Sequence, residues 1–234
     1  RYGSTQDTYV IFMAAMAVDA YIPDPEGVMS LVTINGVPAT SSTTVTPGQE
    51  IEYSIKILNE GTEPVNNTKI KIQLPYITSF VNGSQSGTIN FSPLPSPNNL
   101  YFNPNDGPSG SLIWDIGTLP VPATPSTILG ELIYKVKVSE DCFLLKNPNC
   151  IPTVSLVGYI NGVGAITGIQ IIDKPFFQGY VSSGLCVGDP ILNPITTAID
   201  ATNFINQNCQ NTITELTFNY CSPISQVPFS SIAS

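Results

Sequence analysis

The sequence predicts an all-β protein built on two facing sheets, and three observations carry that expectation. Several runs alternate apolar and polar residues with a period of two, which places every second side chain on one face of a strand. The 234 residues include 21 Pro and 18 Gly while only 11% are charged, a balance that suits short strands joined by turns. No long run rich in Glu, Lys, Ala and Leu is present to build an extended helix.

Taken in order, the chain opens on a polar stretch, Arg1 to Thr8, followed by its most apolar window, YVIFMAAMAVDAYI from Tyr9 to Ile22. That window is too short to cross a bilayer and contains Asp19. It lacks the charged start and the cleavage site of a signal peptide. A short helix and a buried strand both suit its composition. The strand is preferred, because a greasy arm ahead of a proline hinge (Pro23 to Gly27) must be covered by its own sheet or by a neighbour's. The residues expected to line such a subunit contact are Tyr9, Val10, Ile11, Phe12, Met13, Met16, Val18, Tyr21 and Ile22. Val28 to Thr33 reads as a strand, Asn35-Gly36 as a two-residue hairpin turn, and Ala39 to Thr44 as a connector.

The strongest pattern follows. Ile51, Tyr53, Ile55 and Ile57 alternate with Glu52, Ser54 and Lys56, and after the turn residues Asn59 to Gly61 a second strand alternates Ile70, Ile72 and Leu74 with Lys69, Lys71 and Gln73. Two strands with one apolar face each require a second sheet to cover them. Ile77 to Ser111 is irregular and rich in Asn and Pro, with short strands expected near Ser79 to Val81, Gly87 to Phe91 and Leu100 to Phe102. Trp114, in the strand Leu112 to Ile116, is expected in the core. Ile128 to Ser139 alternates Leu132, Tyr134, Val136 and Val138 against Ile133, Lys135 and Lys137. Beyond a boundary at Glu140 to Ile151, a hairpin is expected with its turn at Asn161-Gly162, then a strand near Phe176 to Val181, a helix over Ile195 to Asn206, and a last strand over Thr212 to Tyr220.

The run VTPGQE from Val45, the turn at Asn59-Glu60-Gly61, the strand ending at Leu74-Pro75 and the run LIWDIGTL from Leu112 resemble the DUF-eleven conserved repeat of bacterial surface proteins. That likeness spans Val28 to Ser139 and implies an immunoglobulin-like β-sandwich displayed outside the cell, with no reaction attached. The segment from Cys142 to Cys150 and the Gly-rich stretch after it resemble parts of surface adhesins of gliding Bacteroidota. The expected organisation is therefore an arm and hinge over 1–26, an immunoglobulin-like sandwich over 27–139 and a smaller disulfide-stapled β unit over 140–234.

Five cysteines, at 142, 150, 186, 209 and 221, show no metal-binding spacing, and the chain has no His. Disulfides are the expected use: Cys142 with Cys150 across Pro148-Asn149, and Cys186 with Cys209 as first choice, Cys209 with Cys221 as second. Without His, Ser-His-Asp and Cys-His catalysis and imidazole metal sites are excluded. No cofactor is expected, and enzyme activity is not. A two-carboxylate hydrolase is the residual catalytic reading. A net charge of −9 with eight Lys plus Arg argues against nucleic acid and against docking on anionic membranes. Two function classes stay in view. One is a structural subunit of an extracellular filament or adhesin that self-associates through β-strand contacts. The other is a glycan-binding module in which Tyr101 and Phe102, within the Asn98 to Asn105 loop, stack on sugar rings.

Overall fold

The computed structural model describes residues 20–40, 42–147, 152–183, 191–192 and 194–209. It contains twelve described strands and two short helices. The strands are β1 (Pro25–Ile34), β2 (Val37–Pro38), β3 (Glu50–Asn59), β4 (Val65–Gln73), β5 (Thr78–Phe80), β6 (Ser86–Ile89), β7 (Asn99–Asn103), β8 (Ser111–Leu119) and β9 (Gly130–Val138). After helix α1 (Cys142–Lys146) come β10 (Thr153–Gly164), β11 (Gln170–Pro175), β12 (Ile195–Ala198) and helix α2 (Thr202–Asn208). The first sheet runs β2-β1-β3-β9, with β5 and β6 both bonded to β9; the second runs β11-β10-β4-β8-β7, with β12 also on β10. The pairings between these strands are antiparallel, while the isolated bridges of Val28 to Phe177 and of Val45 to Ile199 are parallel.

The expected immunoglobulin-like sandwich is thus observed, and the period-two patterns build it. Ile51, Tyr53 and Ile55 of β3 stand opposite Val136, Tyr134 and Leu132 of β9, while Ile70 and Ile72 of β4 stand opposite Trp114 and Leu112 of β8. All of these side chains are fully buried between the sheets. The Trp114 indole N–H is satisfied there, donating to Asn98 Oδ1 at 2.8 Å. Along one long side the two sheets are joined. Phe177 exchanges main-chain bonds with Gly27 and Met29 of β1, and Val45 does the same with Ala198 and Asp200. The Phe176 ring lies in the gap, against Gly27 of β1 and Gly158 of β10, where neither strand offers a side chain to displace it.

The segment after Ser139, expected as a smaller β unit, differs from expectation in where it attaches. β10 hydrogen-bonds along β4 from Val157↔Gln73 to Gly164↔Val65, so its strands extend the second sheet of the sandwich. Val154, Leu156 and Ile160 alternate into the common core, and that burial decides the placement. Asn161-Gly162 is not a turn. It lies inside β10, where the Asn161 side chain both donates to and accepts from Asp173 across a bulge, and where a Cβ on Gly162 would collide with Val65. The chain reverses instead between Gly164 and Gln170. Ile195 to Asn206 is half as helical as expected: the β-branched run at Ile195 to Thr197 forms β12, and α2 starts only past Asp200, whose carboxylate accepts from Thr202 N–H.

The disulfide pairing is also corrected. Cys142, at the start of α1, is bonded to Cys209, the C-cap of α2, with Cα atoms 5.4 Å apart. The residues after Cys142 form a helix capped by the Asp141 carboxylate at Phe143 N–H, not the tight reversal that a bond to Cys150 needs. Cys209 is thereby unavailable to Cys186 and to Cys221. Cys150, Cys186 and Cys221 lie outside the described residues, as does the expected strand Thr212 to Tyr220.

Candidate functional site

Two regions gather the residues that the sequence marks out. The first is the outer face of the second sheet. The alternation that buries Ile70 and Ile72 turns Lys69, Lys71 and Gln73 outward, and the register of the neighbouring strands then fixes what stands beside them. Lys71 is opposite Ile113 on β8 and Tyr159 on β10, and Ile113 is opposite Tyr101 on β7. A single row therefore crosses four strands as Tyr159, Lys71, Ile113, Tyr101. The next row is Asn161, Lys69, Asp115, Asn99. Tyr101 is 39% exposed, whereas Ile113 is only 8% exposed. The Lys71 ammonium donates to Asp106 at 2.8 Å, and Lys69 lies 3.7 Å from Asp115, so each cation on this face is met by a carboxylate.

Of the two residues expected to contact a ligand, only Tyr101 is on this face. Phe102 has the opposite strand parity. Its ring turns inward, stacks on Phe80 with centroids 4.4 Å apart, and packs against the core. A glycan cannot use Phe102 and Tyr101 together, because successive side chains of a strand point to opposite faces. Tyr159 is the residue that sequence reasoning did not select. Its signal was the outward phase of the Val154, Leu156, Ile160 alternation, hidden by the reading of Asn161-Gly162 as a turn.

The second region is the end of the sandwich where the arm arrives. Residues 1–19, which include the expected contact residues Tyr9 to Val18, lie outside the described residues. Ala20 to Asp24 precede β1 and run beside the β3–β4 turn: Thr62 Oγ1 donates to Ala20 O, Thr62 N–H to Ile22 O, and Glu60 N–H to Asp24 O. Tyr21 and Ile22 are 49% and 55% exposed. Beside them the β10–β11 reversal is tied down by Glu63, whose fully buried carboxylate accepts from Ile166 N–H at 2.6 Å, Thr167 N–H at 3.0 Å and the Thr167 hydroxyl at 2.5 Å. Burial pushes this carboxyl upward, but the bonds from Thr167 and Ile166 outweigh it and hold it below the usual carboxylate value. Lys174 pairs with Asp24 and reaches Glu26 at 3.8 Å.

Among the described residues no group of three or more His, Cys, Asp or Glu side chains is placed to hold a metal ion. No described helix is long and apolar enough to cross a membrane.

No protein-family model matches the chain, and no curated protein matches it. Solved structures similar to it include the full-length major pilin SpaD from Corynebacterium diphtheriae (13% identity, 63% of this chain and 32% of that chain, TM-score 0.39). Others are the collagen-binding domain of a Staphylococcus aureus adhesin (10%, 68% and 96%, 0.36) and a cohesin module of a Clostridium perfringens family 33 glycoside hydrolase (10%, 77% and 99%, 0.41). The chain spans about a third of the pilin's length. With TM-scores below 0.5, none of these likenesses carries an argument about what this chain does.

Proposed function

We propose that this chain is a structural module of an extracellular bacterial filament or adhesin, assembling when the N-terminal arm of one copy adds as a strand to the sandwich of another. The observation that carries the reading is the exposure of Tyr21 and Ile22 where the arm meets the domain. The first described residues of an apolar arm, Ala20 to Ile22, run outside both sheets and, among the described residues, bond to the β3–β4 turn at Thr62. An acceptor is at hand. β7 bonds to β8 on one side and to no strand on the other among the described residues, which leaves main-chain donors and acceptors for an incoming strand. The extracellular setting is supported by the described disulfide and by the sequence resemblance to surface repeats. A head-to-tail contact whose rotation does not close into a ring propagates a filament.

The test is removal of residues 1–19, which leaves the Thr62 contacts of Ala20 and Ile22 intact. Light scattering should show concentration-dependent polymers for the full chain and a folded monomer for the truncated one. Polymers that survive truncation, or a full chain that stays monomeric at every concentration, would refute strand donation by the arm.

A further inference from the structure

We propose that the outer face of the second sheet is a binding platform for a neutral, extended polysaccharide, with Tyr101 and Tyr159 as its two stacking positions. This stands independently of the assembly reading, since it uses a sheet face and not a strand edge.

Geometry is the first argument. Tyr159 and Tyr101 occupy the two ends of one cross-strand row, three strand intervals apart. At about 4.8 Å per interval the tyrosines are spaced by roughly 14 Å. That is longer than one sugar ring and fits separate rings of one chain. The row lies on a sheet face with the β7–β8 loop, through Asp106, at one side of it, so a polymer crossing from Tyr159 to Tyr101 needs no free end. Aromatic faces stack on the C–H faces of sugars, and a Tyr keeps a polar tip in water while doing so.

Chemistry is the second argument. Beside the row, the exposed Asn99 offers an amide that can both donate to and accept from hydroxyl groups, while the Asn161 amide is held by Asp173. Lys71 and Lys69 are already paired with Asp106 and Asp115, so among the described residues this row has no unpaired lysine to hold a polyanion, and the whole chain is at −9. A neutral chain meets a locally neutral surface. The low exposure of Ile113 means that no contiguous apolar patch connects the tyrosines, which is what a stable protein interface would require.

The test is affinity electrophoresis of the full chain in native gels cast with hydroxyethylcellulose, galactomannan, xyloglucan or glycogen, with dextran sulfate and polygalacturonate as anionic counterparts. At least one neutral polymer should retard the protein. Tyr101→Ala and Tyr159→Ala should each weaken that retardation about five- to tenfold. Tyr159→Phe, which keeps the ring, should retain it, as should Tyr180→Ala, which is not on this face. Folding of each variant is checked by its thermal midpoint. Should Tyr159→Ala not fold, Tyr101→Ala and Asn99→Ala, both at exposed edge-strand positions, decide the matter. The proposal is overturned if no neutral polymer retards the chain, if only the anionic polymers do, or if Tyr101→Ala binds as the parent does. Loss of a concentration-dependent dimer in Tyr101→Ala, without any polysaccharide effect, would assign the face to a second copy and overturn it as well. None of these outcomes alters the polymers tested by removing residues 1–19, so the two readings fail separately.

Discussion

Replacing Tyr134 by Phe should make the protein more stable. Tyr134 is at the middle of β9, facing Tyr53 of β3, with ring centroids 5.9 Å apart and planes at 28°. The Tyr53 hydroxyl reaches Thr197 Oγ1 at 3.5 Å, a long bond, whereas the buried Tyr134 hydroxyl has no hydrogen-bond partner among the described residues. An unpaired buried hydroxyl costs about 1–3 kcal/mol in protein mutational data. Phe keeps the ring and its stacking, and removes one oxygen whose volume is only partly refilled. The net gain should be about 1 kcal/mol, or about 2–4 °C in the thermal midpoint of a chain this size. Tyr53→Phe, which gives up a long bond, should stay within about 0.5 kcal/mol of the parent. Urea unfolding at constant slope and scanning calorimetry measure both. A loss of about 1 kcal/mol or more in Tyr134→Phe would mean that the hydroxyl is bonded, and the reasoning would fail. The same pair sets an alkaline limit. Burial pushes the Tyr53 phenol up to about 12 and the Tyr134 phenol well above its ordinary value, the latter helped by Tyr53. Both folded-state values exceed the unfolded one, so the two phenols' contribution is fully present below about pH 10 and is lost above it, at up to about 1.4 kcal/mol per pH unit for each tyrosine until its folded-state value is passed. Tyr134→Phe should flatten that decline.

Non-reducing peptide mapping should recover Cys142 linked to Cys209, and Cys142→Ser should cost about 2–4 kcal/mol, since the bond closes a loop across 67 positions. Gly158→Ala should lose about 1–3 kcal/mol, because its new methyl meets the Phe176 ring between the sheets; stability equal to the parent would show that the ring moves freely. Ile55→Ala should cost about 2–5 kcal/mol, and a loss below about 0.5 kcal/mol would place that residue outside the core. The Glu63 carboxyl has a folded-state value below its unfolded one, so its contribution is present above about pH 4.3 and is lost as acid protonates it. The protection of the Ile166 and Thr167 amides, taken as their exchange rate against the intrinsic rate at each pH, should fall on acidification in the parent and be insensitive to that step in Glu63→Gln.

The parts of this fold that were legible in the sequence are those with a local cause. Alternation of Ile and Tyr with Glu and Lys placed β3, β4 and β9, and even the short β5, β6 and β7 fell within a residue or two of expectation, because Asn, Gly and Pro bracket them. What escaped depended on partners far along the chain. Asn161-Gly162 has every local property of a hairpin turn, yet Val65, nearly a hundred positions earlier, fills the space beside Gly162, and Asp173 takes up the Asn161 side chain. The cysteines failed for the same reason: the partner of Cys142 is chosen by the docking of α1 on α2, and nothing local announces it. Tyr101 and Phe102 are adjacent letters, and only the register of β7 against β8 tells which of them faces water. Glu63 reads as one more turn residue until the reversal that it anchors, a hundred positions on, is in place.

The bond between Cys142 and Cys209 also decides how the molecule would carry tension. A pull applied at Ala20 and at Cys209 enters β1 at one end of the sandwich and, through the sulfur bridge, reaches the end of β9 at the other. From there it passes between β9, β3 and β1, which lie side by side with their hydrogen bonds perpendicular to the pull. Those bonds are loaded together and resist as a set, unlike a hairpin opened one rung at a time. The span bracketed by the bridge, including β10, β11 and β12, carries no load while the bridge is intact. Reduction would bring those 67 positions into the tether and lengthen it by up to about 240 Å at full extension, so the bridge acts as a bypass that keeps the last-added strands slack while the first sheet is strained.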